Sequence, residues 1–206
     1  MNLSNKRVLI TAGPTWVPID AVRVISNIAT GQTGILLAQK LQKLGARITL
    51  LIGPVGICRL NNKIKIIRFK FFDELRDIIN KELRAKKYDV VIHSAAVSDF
   101  KSGHYLNSKL SSDKIYNLKL VPLPKIVRDI RYRAPKAKLV MFKLEEGIPD
   151  NILIRRARES LLAYRADLVV ANEIHPDYKA FILDKEKVYS QVNSRKRLVK
   201  KIIKLI

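Results

Sequence analysis

Apolar residues come in short runs that alternate with helically spaced ones. Val8-Leu9-Ile10-Thr11 reads as a first strand. From Gly31 to Leu44, apolar Ile35, Leu36, Leu37, Leu41 and Leu44 recur along one side of a helix. Arg47 to Ile52 and Ile64 to Phe69 read as the second and third strands, Phe72 to Ala85 as a helix, and Asp89 to His93 as a fourth strand. Further strands are expected at Lys138 to Phe142 and Asp167 to Ala171, with a helix near Asn151 to Tyr164 between them. Phe181 to Tyr189 reads as a short antiparallel pair. After it, Leu198, Val199, Ile202, Ile203 and Leu205 alternate with cations at helical spacing, which predicts an amphipathic terminal helix. Strands that alternate with helices predict an α/β fold, a mostly parallel sheet with helices on both faces and short antiparallel strands near the C-terminus. No repeat or low-complexity linker interrupts it, so residues 1–206 read as a single domain.

One segment breaks the pattern. Residues 98–117 are rich in Ser, Asn, Lys and Gly, including Gly103, Asn107, Ser108, Ser111 and Ser112. A polar stretch of that length inside a compact domain predicts a functional lid or mobile flap.

Composition narrows the classes. The chain has 206 residues, 48% of them apolar, enough for one well-packed core. No apolar run reaches the ~18 residues of a membrane span, and Met1 to Arg7 lacks the layout of a secretory signal. A lone cysteine, Cys58, excludes an internal disulfide framework and suits a reducing, cytoplasmic setting. With 40 basic and 18 acidic side chains the formal charge is +22, which raises a nucleic-acid reading. The excess is spread over all four quarters of the chain, and only Arg195 to Lys204 is dense. That spread favours a solvated, Lys-rich surface over a dedicated nucleic-acid face.

In open parallel sheets, ligands sit beyond the carboxyl ends of the strands. Three segments meet that condition: Thr11-Ala12-Gly13-Pro14-Thr15, Ser26 to Gly34, and Ser94 to Phe100. Thr30, Gly31 and Gly34 stand at a helix start, where free N–H groups and the helix dipole suit an anion; an ordinary capped helix fits the same spacing. A dinucleotide site is weakened by Gly13-Pro14 in place of the glycine fingerprint, and by the absence of an acid after Ile52-Gly53-Pro54. Tyr105-x-x-x-Lys109 matches the Tyr/Lys pair of short-chain reductases, which needs a helix that Gly103 and Asn107-Ser108 disfavour. His93, His104 and His175 have no metal-ligand spacing, so no protein metal site is assigned. His93 reads as a structural or pocket-wall residue. Trp16 fits a packing role better than a pocket wall.

Taken together, these segments resemble phosphopantothenate–cysteine ligase. The resemblance rests on Val8-Leu9-Ile10-Thr11-Ala12-Gly13-Pro14-Thr15, then Pro18-Ile19-Asp20, Val22-Arg23, Ile25-Ser26-Asn27, Thr30-Gly31, Gly34 and Ile52-Gly53-Pro54. It continues through Ser94 to Asp99, Leu120-Val121-Pro122, Pro124-Lys125-Ile126, Phe142-Lys143-x-Glu145 and Asp167 to Asn172, nearly the whole chain. The family implies a Rossmann-like fold. It implies amide formation between 4′-phosphopantothenate and L-cysteine through an acyl-nucleotide made from CTP or ATP, with Mg²⁺. The chain corresponds to the ligase half of a bifunctional flavoprotein, so no flavin is expected, and a separate phosphopantothenoylcysteine decarboxylase is implied. A homodimer and no membrane association are further expectations.

The resemblance also implies roles. Asn27 matches the asparagine that holds the acyl-nucleotide, and Arg23, one helical turn earlier, an arginine near the same site. Lys109 matches the first lysine of a Lys-Ile-Lys-Lys segment on a mobile flap. His93, Ser94, Ala95, Asp99, Pro124, Lys125, Ile126, Val127 and Phe142 match nucleotide contacts. Gly13, Thr15, Thr30, Gly31 and Gly34 are expected around phosphate or substrate. Two departures stand out. The lysine segment reads Lys109-Leu110-Ser111-Ser112, and two triphosphate lysines are replaced by Ser160 and Tyr164, with Arg156, Arg158 and Arg165 nearby. A reductase of the short-chain type and a non-catalytic nucleotide- or nucleic-acid-binding relative are the alternatives.

Overall fold

The computed structural model describes residues 3–56, 60–105, 107–175 and 177–206; Cys58 lies outside them. Their elements in chain order are β1 (Arg7–Ala12), β2 (Trp16–Pro18), β3 (Val24–Ser26), α1 (Gln32–Lys43), β4 (Arg47–Ile52), β5 (Lys65–Arg68), α2 (Phe72–Ala85), β6 (Val90–His93), β7 (Phe100–Ser102), β8 (Leu120–Pro122), α3 (Ile126–Arg133), β9 (Lys138–Leu144), α4 (Asp150–Tyr164), β10 (Leu168–Glu173), β11 (Lys179–Leu183), β12 (Val188–Val192) and α5 (Arg195–Leu205).

Eight strands form one sheet in the order β12-β11-β10-β9-β6-β1-β4-β5. From β5 to β10 every pairing is parallel; β11 and β12 close one edge antiparallel. The α/β expectation therefore holds, down to the antiparallel pair near the C-terminus.

Parallel strands covered on both faces are apolar on both faces, and successive side chains point to opposite sides. Ile10, Leu50, Ile92 and Val170 join one core with Leu37 and Leu41 of α1 and Leu198, Val199 and Ile202 of α5. Their strand neighbours Leu9, Leu51, Val91 and Val169 face the other core. That one is built with Phe72, Leu75 and Ile79 of α2, Ile126 and Ile130 of α3, and Leu153, Ala157 and Leu161 of α4.

The two small ribbons, β2–β3 and β7–β8, and helix α3 were not anticipated by periodicity. The ribbons are three-residue strands, too short for alternation to register. α3 has eight residues. The spacing of Arg23 and Asn27 as one helical turn does not hold, because β3 runs extended between them. In the 98–117 segment, β7 pairs with β8, and Gly103 N–H donates to Lys119 O at 2.7 Å, closing the stem of a long loop.

Candidate functional site

The chain leaves β1 toward β4 on one side and returns to β6 on the other. Strand order reverses between β1 and β6, and open α/β sheets hold ligands in the crevice at such a point.

The loops that leave these two strands stay paired past the sheet. Ser94 N–H donates to Thr11 O (3.2 Å), Ala96 N–H to Gly13 O (2.9 Å) and Thr15 N–H to Ala96 O (3.3 Å). Side chains reinforce the seam. Ala95 N–H donates to Thr11 Oγ1 (3.1 Å), and Ser94 Oγ donates to Thr11 O (2.6 Å). Ser98 N–H donates to Thr15 Oγ1 (2.9 Å), and the Thr15 hydroxyl donates to Ser98 Oγ (3.1 Å). Thr11 and Thr15 are fully buried. They form the floor of the crevice, which places Thr15 in the scaffold rather than against a ligand. His93 Nδ1 lies 2.9 Å from Thr11 Oγ1. Burial pushes its pKa down to about 4, so the imidazole is neutral near pH 7.

Glycines set the second wall. Gly13 and Gly31 are both left-handed, with φ of 79° and 69°. A Cβ on Gly31 would stand 3.2 Å from Gly13 N, so the two backbones abut. Gly31 caps α1, whose first turn carries no acidic residue, and leaves a positive helix end open beside Thr30. Gly34 does other work than expected. A Cβ there would come 2.6 Å from Ala12 Cβ and 2.9 Å from Ser94 Oγ, so Gly34 lets α1 lie against β1 and β6.

The β2–β3 ribbon brings Asn27 over this floor. Asn27 Nδ2 donates to Ala96 O (3.1 Å) and Val97 O (3.2 Å), while the residue stays exposed. The amide nitrogen is thus committed to the loop after β6, while the backbone carbonyl accepts Ser26 Oγ (3.2 Å). Trp16 packs edge-on to Phe71, with ring centroids 6.4 Å apart, as a packing role requires.

Arg23 points elsewhere. Its Nη1 donates to Asp20 Oδ2 (2.7 Å) and Leu110 O (3.2 Å). Asp20, only 2% exposed, also accepts Val22 N–H (2.8 Å) and Arg23 N–H (2.6 Å) at Oδ1 and Leu110 N–H (3.0 Å) at Oδ2. The Leu110 amide, ahead of the turn amides and the Arg23 charge, holds its carboxyl down at about 2. Asp20 is the residue that sequence reasoning passed over, although an Asp two and three residues before free amides is a known turn signal. Its effect is to fix the 103–119 loop next to Lys109. Lys109 is exposed and makes no side-chain hydrogen bond or ion pair among the described residues. Tyr105 is exposed too, and among the described residues no helix includes it or Lys109, so the reductase pairing finds no support.

Asp99 forms an ion pair with Lys125 and accepts Leu123 N–H (2.8 Å) at its carbonyl, which brings Pro124 and Lys125 to the crevice rim. Ile126 and Val127 turn into the core, so only their backbone is available to a ligand. Phe142 is half-buried on the α1–α5 side. Ser160 and Tyr164 lie in the C-terminal half of α4. That end meets the amino ends of β9 and β10, away from the crevice, where Asp167 N–H donates to Leu139 O. Among the neighbouring arginines, Arg156 pairs with Glu145 (3.4 Å) and Arg158 Nε donates to Asp184 O (3.5 Å). Arg165 is the left-handed cap of α4. No group of three His, Cys, Asp or Glu side chains is placed to hold a metal among the described residues.

Residues 3–204 match the family model described as the DNA/pantothenate metabolism flavoprotein C-terminal domain. The chain is 37% identical over 174 residues to the coenzyme A biosynthesis bifunctional protein CoaBC of Thermococcus kodakarensis, covering 84% of this chain and 42% of that protein. It is 34% identical over 215 residues to the protein of the same name from Borreliella burgdorferi, covering 99% of this chain and 53% of that one. The chain spans about half the length of these curated relatives. The crystal structure of the DNA/pantothenate metabolism flavoprotein from Streptococcus pneumoniae has the same fold, with a TM-score of 0.87 over 97% of each chain at 23% identity.

Proposed function

This chain belongs to the DNA/pantothenate metabolism flavoprotein C-terminal domain family, and from that premise we propose that it is a phosphopantothenate–cysteine ligase. A carboxylate of 4′-phosphopantothenate attacks the α-phosphorus of CTP or ATP, the α–β anhydride bond breaks and pyrophosphate leaves. The cysteine amine then attacks the acyl carbon, the nucleotide leaves as its monophosphate and the amine proton goes to solvent.

Both substrates are polyanions, and charge spreads over phosphoryl oxygens in the transition state, so fixed donors and cations are the catalysts required. Asn27 holds the acyl-nucleotide, with the start of α1 at Thr30-Gly31 as the anion cradle. Lys109 supplies positive charge from the 103–119 flap, and His93 to Ala95, Asp99, Pro124, Lys125 and Phe142 wall the nucleotide. Mg²⁺ would be held by the triphosphate and water and would supply charge neutralisation there; among the described residues no group of three His, Cys, Asp or Glu offers a cage. A homodimer belongs to this reading, with Ile28 on the ribbon side and Ile115 on the loop, both almost fully exposed, at the contact. The product keeps its carboxylate and suits a decarboxylase as the next step.

The observation that carries the reading is the Asn27 amide, anchored to Ala96 and Val97 at the point where strand order reverses. Pyrophosphate release is the test, run with CTP and ATP side by side. Sustained release should require phosphopantothenate and cysteine together, with no more than a single turnover when cysteine is left out, and should fall by about 10²-fold or more in Asn27→Ala. An unchanged rate in that variant would remove Asn27 from the mechanism; release without phosphopantothenate, or multiple turnovers without cysteine, would remove the ligase.

A further inference from the structure

The fold gathers charge that the sequence spreads out. No Asp or Glu occurs between residues 21 and 72, or between 187 and 206. α1 lies in the first of these stretches and α5 in the second, and the two helices pack side by side on the same face of the sheet. Their apolar sides are spent on the core. What remains outside is Lys40, Lys43, Lys196, Arg197, Lys200, Lys201 and Lys204, all exposed. Arg195 is the one cation of the group with a described partner ring, 4.7 Å over Tyr178.

The opposite face is built differently. Its helices carry Asp73, Glu74, Asp77, Asp129, Asp150 and Glu159 among their cations, and they pair them: Arg76 with Asp129 (2.8 Å), Lys86 with Glu82 (3.5 Å), Arg155 with Glu159 (2.7 Å). Among the described residues no ion pair includes a residue of α1 or α5. On α5 the cations are like-charge neighbours one turn apart, Lys196 with Lys200, Arg197 with Lys201 and Lys200 with Lys204, an arrangement that repels within the helix unless a polyanion lies along it.

We propose that the α1–α5 face binds the phosphate backbone of a duplex nucleic acid, independently of sequence. The kind of partner follows from what the face lacks. Neither helix exposes a large apolar side chain, so it has no anchor of the sort that protein interfaces rely on and nothing to insert into a bilayer. It has no free aromatic platform on which unpaired bases could stack. A duplex asks for none of these. It presents one negative charge per about 1.7 Å of axis and is held by cations that displace its counterions.

The intact protein, titrated into a fluorescently labelled DNA duplex and into an RNA duplex of the same sequence, should raise the anisotropy of both. The logarithm of affinity should fall linearly with that of KCl, with a slope near −0.9 per phosphate contacted. Lys196→Glu/Lys200→Glu/Lys204→Glu should weaken binding more than 10-fold and flatten the slope by about 3. Lys81→Glu/Arg84→Glu/Lys87→Glu, the same charge change on the opposite side, should leave it within about 2-fold. Lys→Gln at the three α5 positions serves in place of the Glu variant if that one unfolds at a lower midpoint. No binding at low salt, equal loss in both triple variants, displacement by excess CTP, or tighter binding to phosphatidylserine vesicles than to either duplex would each overturn the assignment.

Discussion

Asp20 Oδ2 accepts the main-chain N–H of Leu110 at 3.0 Å, across 90 residues of sequence. This bond ties the ribbon that carries Asn27 to the loop that carries Lys109. Its two oxygens divide the work, Oδ1 toward the ribbon turn and Oδ2 toward Leu110 and Arg23. Asp20→Asn can therefore keep the turn at Oδ1 and set an NH₂ group against two donors at the other position. Hydrogen exchange at the Leu110 amide should speed up by about 10-fold, while the ribbon amides Trp16 to Ser26 keep their rates. In the native protein the carboxyl is held below its ordinary 3.8, at about 2. Its contribution is complete above 3.8 and is lost as pH falls toward 2, so the same amide should lose protection over that interval.

His93 gives a pH dependence of the same sign, at higher pH and from a different cause. Its folded pKa of about 4 lies below the ordinary 6.5, so between these values the unfolded chain takes up a proton that the native state refuses. Stability is complete above 6.5 and declines as pH falls to 4. Denaturant midpoints measured across this range should show the decline in the native protein and a shallower one in His93→Gln.

Gly34→Ala tests whether α1 is seated by shape. The added methyl would meet Ala12 Cβ at 2.6 Å and Ser94 Oγ at 2.9 Å. Both neighbours belong to the β1–β6 seam, so relief requires the helix to move. The expected cost is about 1–3 kcal/mol of stability, read by urea denaturation, together with weaker nucleotide binding.

Tyr88 joins β4 to α2 through a buried pair of bonds. Its hydroxyl donates to Glu82 Oε2 (2.7 Å) and lies 3.0 Å from Thr49 Oγ1, while Lys65 reaches Glu82 Oε1 at 2.6 Å. Tyr88→Phe leaves the Thr49 hydroxyl without this partner and the nearly buried Glu82 Oε2 with only Lys86 at 3.5 Å. It should lower stability by about 1–3 kcal/mol with an unchanged denaturant slope.

The parallel core was legible because its signal is redundant. Runs such as Val8 to Ile10 and Val90 to Ile92 are apolar on both faces, and α2 begins and ends where its pattern does, at Phe72 and Ala85. The crevice where strand order reverses was legible through the loops after β1 and β6, because those strands carry the apolar signal, and the structure brings Asn27 beside the second loop. The Asp20 bond was not, because its partner is fixed by the path of a loop with no pattern of its own. Thr15 and Gly34 were read as ligand-facing because a turn glycine and a threonine near a strand end look alike whether they meet a phosphate or another backbone. The distribution of charge was hidden for a related reason. Counted along the chain it is even, and only the adjacency of α1 and α5 makes one face acid-free.

That adjacency also orders events during synthesis. The covering helices of one face, α2, α3 and α4, are all made by position 164, whereas Leu37 and Leu41 of α1 wait for Leu198 and Ile202 of α5. At about 5–20 residues per second, the roughly 150 residues between those helices take about 8–30 s to make. For that interval half of the nascent core has no lid, and the growing chain offers an apolar strip to any chaperone stationed near the ribosome.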